Sequence, residues 1–319
     1  MNDAVIVESA TCVGCGRCVA TCPTSFLTLQ SGNAVATGEK CLACGQCEAV
    51  CPTGSVKVSA LEECVGDYTT FKIGQEWVPY GKPDLAALVS LMRSRRSCRH
   101  FLDTPVDLAR LQDLAQIGAS APSGTNCQPW TFTILPDRAA VLKLSAEILR
   151  FFVRLNKVAR NPLFRFFSGE LRTYYSKHYA SIEKALKEWE ETKKDKLFFN
   201  APAIILMGCK PGASTPAEDA LLASQNILLA AHTMGLGTCL IGFATAALKR
   251  DRSIQQRLGI PKDETIYAVI ALGMTDDTYL RVTRRKAATT RVAQSFVEEE
   301  LQKIAHGELA NSVGEAHKP

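Results

Sequence analysis

Apolar residues recur at helical spacing in two stretches beyond the first quarter of the chain. Leu85, Leu88, Val89 and Met92 fall on one face of a helix that Asp84 can cap. Leu108, Leu111, Leu114 and Ala115 do the same over about 107–118. A polar turn at Pro122-Ser123-Gly124 then leads into a strand predicted from Trp130 to Leu135. Residues 220–248 contain no charge, but Gln225, Asn226, His232 and three glycines interrupt them. That pattern predicts a buried helix followed by a loop, not a membrane span. A charged helix is expected in "SIEKALKEWEETKKDK", 181–196, and another opens the tail at "RVAQSFVEEELQKIAHG". Gly66, Gly74, Pro79, Gly81 and Pro83 break regular structure, so 61–82 is read as a connector. The resulting division is residues 1–60, the connector, a large unit 83–306 and a polar, disordered tail 307–319.

Composition adds little to this division. The chain has 319 residues, 46% of them hydrophobic, enough for a sizeable core. A net charge of +5, with 37 basic residues spread along the chain, implies neither nucleic acid nor a membrane surface. The opening "MNDAVIVESA" has no basic region followed by an apolar run, so no secretory signal is read. A reducing cytoplasm is the expected location.

Cysteine changes the picture. Of thirteen cysteines, eight fall in "CVGCGRCVATCP" at 12–23 and "CLACGQCEAVCP" at 41–52. Each run reads Cys-x-x-Cys-x-x-Cys-x-x-x-Cys-Pro. The small residues Gly14, Gly16, Ala43 and Gly45 let the backbone wrap one iron–sulfur cube and aim amides at its sulfurs. The proline carries the fourth cysteine to the other cube. Cys12, Cys15, Cys18 and Cys51 are therefore expected to hold one 4Fe–4S cluster, and Cys41, Cys44, Cys47 and Cys22 the second. Zinc gives no reason for a crossed fourth ligand, and the tight spacing disfavours a disulfide framework. The runs match at eight of thirteen aligned positions, counting Thr24 and Thr53, which points to an internal duplication. Residues 1–60 resemble the bacterial two-cluster ferredoxins and read as a wire for single electrons.

Four arginines lie within seven residues of "RSRRSCRHF", 93–101. A solvated basic face and an anion site, with Ser97 as a further donor, both suit them. "RRSCRHF" followed by "APSGTNCQPWTF" resembles the opening of the FMN-dependent nitroreductase family. "FNAPAIILMGC", "GLGTCLIGF" and "IALGMTDDTYLRVTRRK" resemble its central strand, its flavin-contacting loop and its closing strand with a basic end. The chain as a whole is similar to the ferredoxin-fused branch of that family.

The resemblance implies an α+β fold, with a mainly antiparallel sheet wrapped by helices, and a homodimer with FMN at the subunit interface. It places Arg95, Arg96 and Ser97 on the flavin phosphate and ribityl chain, and Arg99 near the ring's N1 and C2 carbonyl. Pro122, Ser123, Gly124 and Asn126 meet the flavin from the partner subunit. Leu240, Ile241 and Gly242 pass its N5 edge, and Arg285 with Arg284 closes on the phosphate. "RVTRRK" departs there from the prolines usual in the family. The chemistry belongs to FMN, so no protein nucleophile is expected.

Residues 150–198 are expected to pack over the dimer and shape a substrate pocket; Tyr174, Tyr175 and His178 are weighed there as proton donors against ordinary packing. Cys98, Cys127, Cys209 and Cys239 are read as small buried filler, and Cys64 has no spacing for a third cluster. The functional expectation is a flavoenzyme that takes low-potential electrons, from a ferredoxin or NAD(P)H, through two clusters. It then reduces a nitroaromatic, quinone or activated alkene. Two alternatives stand beside it: an NAD(P)H oxidase exporting electrons to a partner, and a relay or sensor with no substrate of its own.

Overall fold

The computed structural model describes residues 4–61, 67–74, 76–192 and 194–293. Its first part is built as a repeat. Strand β1 (Val5–Val7) pairs antiparallel with β4 (Val56–Val58), and β2 (Leu27–Gln30) with β3 (Asn33–Ala36). Two short helices, α1 (Arg17–Thr21) and α2 (Gln46–Ala49), carry the third cysteine of each run, Cys18 and Cys47. Each begins after a left-handed glycine, Gly16 or Gly45, both at φ 73°. A small core of Val5, Phe26, Leu27, Val56 and Val58 closes round Cys18 and Cys47.

The second part starts with α3 (Leu85–Ser94), α4 (Leu108–Gly118) and β5 (Trp130–Leu135). The carboxylates of Asp84 and Asp107 accept the first free amides of α3 and α4, Asp84 in the capping role its sequence position predicts. A helical block follows: α5 (Arg138–Arg160), α6 (Pro162–Phe167), α7 (Gly169–Tyr174), a π-helical turn at Tyr175–Tyr179 and α8 (Ala180–Thr192). The chain returns as β6 (Ala203–Cys209), α9 (Pro216–Thr233), β7 (Gly237–Leu240), α10 (Gly242–Arg250), α11 (Arg252–Arg257) and β8 (Thr265–Gly273).

The sheet order is β5-β6-β8-β7, with each neighbouring pair antiparallel. Strand β6 is buried along its whole length because helices cover both faces. Ile204 and Leu206 point to α5, α8 and α10; Ile205 and Met207 point to α4 and α9. An antiparallel strand buried on both sides loses the usual polar alternation and reads as a continuous apolar run. The fold is α+β. Among the described residues, no helix is long and apolar enough to cross a membrane.

Three expectations need correcting. The loop expected after the buried helix is partly strand: Gly237–Leu240 pairs with Gly273–Ile270 of β8, and α10 starts at once. Of the segment 270–286, expected to carry the closing strand and its basic end, only 270–273 is strand: β8 starts earlier, at Thr265, and no helix or strand follows Gly273 among the described residues. Finally, the apolar face of α3 is not core in the single chain: Leu85 is 69% exposed, and Leu88, Val89 and Met92 are exposed with it.

Residues 281–293 belong to a second unit and contain no helix or strand. Arg284 and Arg285 lie there, both exposed. The tail helix beyond 293, the disordered tail 307–319 and Cys64 fall outside the described residues.

The connector is tied to the second part at Asp113 of α4, which is 2% exposed. Its carboxylate accepts from the amides of Thr69 (2.8 Å) and Thr70 (2.7 Å) and from the Thr70 hydroxyl (2.5 Å). Burial works to raise its pKa, but these bonds prevail and hold it below the usual carboxylate range. A carboxylate with a lowered folded pKa stabilises above its unfolded pKa, and that stability is lost as pH falls through the folded value. Asp113→Asn is therefore expected to cost about 1–3 kcal/mol at pH 7. The gap between the two chains' urea midpoints should stay full down to about pH 5 and shrink below about pH 4.

Candidate functional site

The eight thiols of the paired runs gather in two chambers. One is lined by Cys22, Cys41, Cys44 and Cys47, with Val5, Phe26, Leu27 and Val58 around them. The other is lined by Cys12, Cys15, Cys18 and Cys51. Each chamber takes its fourth thiol from the opposite run, the exchange the spacing predicts. Among the described residues, no three His, Cys, Asp or Glu side chains converge as a single ion would demand. Four thiols spread round a chamber suit a four-iron cube, where each iron takes one thiolate. The donor set fits that group.

Donors already face several of these sulfurs. Phe26 N lies 3.2 Å from Cys22 Sγ and Ala43 N 3.3 Å from Cys41 Sγ. The hydroxyls of Thr24 and Thr53, the matched residues after each Cys-Pro, lie 3.7 Å from Cys22 Sγ and 3.6 Å from Cys51 Sγ. At Cys22 and Cys51, burial acts to raise the pKa, but the surrounding amides and threonine hydroxyls outweigh it. Both thiols are lowered, Cys51 to about 7. Cys18 and Cys47 are raised chiefly by burial, Cys47 to about 11.

The second site is assembled by β7. Ser97 forms a parallel bridge with Thr238, and Cys98 N donates to Thr238 O at 2.8 Å. A Cβ on Gly237 would sit 2.8 Å from both Cβ and Sγ of Cys98, so only glycine allows this approach. The contact brings Arg95–Arg99 against Thr238–Gly242, segments about 140 residues apart in sequence. Arg95, Arg96 and Ser97 are half-buried there.

A cavity of about 1060 Å³ opens beside this junction. One wall is Arg99, Leu240, Ile241 and Gly242; the other comes from the helical block, including Phe151, Phe152, Leu155 and Tyr174. Phe199 and Phe243 add two more rings. Arg99 lies 5.7 Å from the Phe199 ring centroid, and its Nη1 donates to Ser97 O at 3.4 Å. The start of α10 also faces the cavity, and its free amides add partial positive charge to that of Arg99. A cationic edge beside an apolar, aromatic hollow fits a flavin, whose reduced ring carries negative charge at N1 and C2.

The proton-donor candidates separate in the structure. Tyr174 gives its hydroxyl to Asn156 Oδ1 at 2.5 Å, and burial, helped by Tyr179, pushes its pKa to about 12. It is a packed wall residue. His178 lines the cavity edge-on to Phe243, 5.5 Å between ring centroids. Tyr175 instead lies under Arg165, 3.8 Å from its ring centroid. The side-chain amide of Asn126 donates to the carbonyls of Ala43 (2.8 Å) and Leu42 (3.4 Å). Cys98, Cys209 and Cys239 are buried as expected, but Cys127 is exposed. It caps the short helical turn Gly124–Asn126, with its Sγ 3.9 Å from Asp219 Oδ2.

The sequence reading missed the cavity's aromatic wall. Phe151, Phe152 and Leu155 lie on α5 at spacings that mark a helix face, but nothing local says what that face encloses. The block is locked by Asp195, 1% exposed, which pairs with Arg138 at 2.9 Å and accepts from Ser145 at 3.0 Å.

The family model described as "Nitroreductase family" matches residues 92–274, and that of the "4Fe-4S dicluster domain" matches 11–55. The chloronitrobenzene nitroreductase of Comamonas testosteroni is 26% identical over 203 residues, 59% of this chain and 86% of that protein. An iodotyrosine deiodinase of Thermotoga neapolitana is 26% identical over 194 residues, 60% of this chain and 89% of that one. Among solved structures, a nitroreductase with bound FMN from Bacteroides fragilis superposes with TM-score 0.48 and 21% identity, over 65% of this chain and 98% of that one. With more than half of its length matched, the chain belongs to the nitroreductase family and has a 4Fe-4S dicluster domain ahead of the nitroreductase region.

Proposed function

We propose that this chain is an FMN-dependent oxidoreductase that passes low-potential electrons through two 4Fe–4S clusters to FMN and reduces a small organic acceptor. Nitroaromatics, quinones and activated alkenes are the acceptor classes. The observation that carries the reading is the cavity itself: a cationic edge at Arg99 and α10 faces a wall of aromatic side chains, with about 1060 Å³ between them. Flat, electron-poor rings suit such a wall. The relatives whose names state a substrate, chloronitrobenzene and iodotyrosine, act on aromatic compounds.

Bound FMN would supply the exchange between single electrons and a hydride, which carries two. The chain's own residues do the rest. Arg95, Arg96 and Ser97 hold the phosphate end, while Arg99 stabilises charge at N1 and C2. Leu240, Ile241 and Gly242 border N5, and Pro122, Ser123 and Gly124 meet the flavin of the partner subunit. Phe151, Phe152 and Phe243 exclude water from the acceptor. Homodimer formation is supported by the exposed apolar face of α3 and by Leu221 and Leu222 on α9, which a second copy can bury.

A relay without its own substrate is favoured less, because the helical block walls the cavity without filling it. The test is turnover by the isolated, cofactor-loaded chain, with reduced ferredoxin or NAD(P)H as donor and nitrobenzoate or a benzoquinone as acceptor. Acceptor-dependent oxidation of the donor is expected. Donor oxidation that no acceptor accelerates would contradict the reading.

A further inference from the structure

The loop between α4 and β5 is held in a costly shape. Thr125, Asn126 and Gln128 have φ of 51°, 55° and 45°, a left-handed region that side chains disfavour. Asp219 of α9, 1% exposed, clamps it by accepting from Gly124 N and from Thr215 Oγ1, each at 2.9 Å. Ser123 Oγ accepts from Gln128 N at 2.9 Å. A Cβ on Gly124 would lie 2.3 Å from both Ser214 Oγ and Thr215 Oγ1, so the loop is seated directly on the start of α9.

This rigid seat presents Asn126 to the dicluster part. Asn126 Nδ2 donates to Ala43 O at 2.8 Å, and Ala43 N donates to Cys41 Sγ at 3.3 Å. Ala43 therefore links a cluster sulfur to the nitroreductase region, and the longer bond from Asn126 Nδ2 to Leu42 O (3.4 Å) falls on the very peptide whose amide faces that sulfur. Ala43 itself has φ 49°. The matching residue of the first run, Gly14, is packed inside the dicluster part, where a Cβ would lie 2.1 Å from Gly32 O. In the first run Cys15 is exposed, whereas its counterpart Cys44 is half-buried.

We infer that the chamber of Cys41, Cys44, Cys47 and Cys22 is the junction through which electrons cross between the dicluster part and the flavin, and that Asn126 positions it. The chamber of Cys12, Cys15, Cys18 and Cys51 is then the outer station, its exposed Cys15 facing the external donor. The inference rests on the proposed function. Each acceptor takes two electrons and two protons. The electrons arrive singly from a low-potential one-electron donor and pass through this junction, and the protons come from solvent. As a positioning residue, Asn126 holds Ala43 from both sides, at Leu42 O and at Ala43 O, and with it the amide that faces the Cys41 sulfur. Cluster potentials respond to such hydrogen bonds.

The test uses the full chain loaded with clusters and flavin, with Asn126→Asp and Asn126→Ala beside the wild type. Asp keeps the shape but turns an acceptor toward two carbonyls; Ala removes the bond. The clusters are reduced by photoexcited deazaflavin, flavin bleaching is timed per bound flavin, and both cluster midpoints are titrated by electron paramagnetic resonance. In both variants we expect bleaching slowed on the order of tenfold, the ratio a lost bond of this kind implies for the docked arrangement. One midpoint should shift while the other stays, and the shifted signal should be the one missing from a Cys22→Ala chain. Unchanged rate and midpoints would overturn the inference, as would equal shifts in both clusters. Loss of flavin with an unchanged rate per bound flavin would also overturn it, leaving Asn126 as a flavin ligand alone. If the wild type passes no electrons between clusters and flavin, the proposed function fails instead.

Discussion

Cys22→Ala is expected to halve the iron of the loaded chain, from about eight atoms to about four. The missing cluster should be that of the second run, because Cys22 shares its chamber with Cys41, Cys44 and Cys47. Adding Cys47→Ala should then remove no further iron, while adding Cys18→Ala should remove the rest. Residues that act on one unit give non-additive losses, and residues on separate units give additive ones. Iron analysis and paramagnetic resonance of the three chains decide the point. If Cys22→Ala and Cys18→Ala removed the same four irons, each run would bind its own cluster and the crossed arrangement would be wrong. The stability cost should be large as well. The buried thiols Cys18 and Cys47 lie in the core of the dicluster part, which has few other large apolar side chains.

Arg99→Gln is expected to weaken FMN binding by roughly tenfold to a hundredfold, the loss that follows removal of a charged donor from a partly enclosed site. The flavin midpoint potential should fall too, since a fixed cation favours the reduced, more negative ring. Evidence of its field lies at the neighbouring thiol. Burial raises the pKa of Cys239, while the charges of Arg99 and Arg95 act against that rise. Arg99→Lys should recover part of the potential but less of the affinity, because an ammonium lacks the planar fork. Flavin titration and spectroelectrochemistry check both quantities. Unchanged affinity and potential in Arg99→Gln would remove Arg99 from the role.

The parts of the site that could be read from the chain are those whose chemistry is local. A Cys-Pro repeat needs no fold to announce a cluster, and the crossed chambers follow from it. Asp84 caps its helix through neighbours two and three residues away, so that start was visible. The cavity was less legible because three distant segments enclose it. Phe151, Phe199 and Phe243 come from three different stretches of the chain, and their convergence depends on how α5 crosses the sheet. Strand β7 has only four residues, one of them glycine, and its pairing with β8 is set by tertiary contact rather than propensity. The apolar face of α3 misled for another reason. Periodicity reports that a face must be covered but not whether its own chain or a second copy covers it. Nor could Asn126 be linked to Ala43, since a hydrogen bond across 83 residues leaves no local trace.

The measurement that tests the account most directly is anaerobic and optical. The cluster- and flavin-loaded chain is mixed with reduced ferredoxin in the absence of nicotinamide, and both chromophores are followed at once. The account predicts that the clusters bleach first, the flavin follows within the same chain, and a nitroaromatic then restores the flavin colour. Clusters that bleach while the flavin stays oxidised would contradict it.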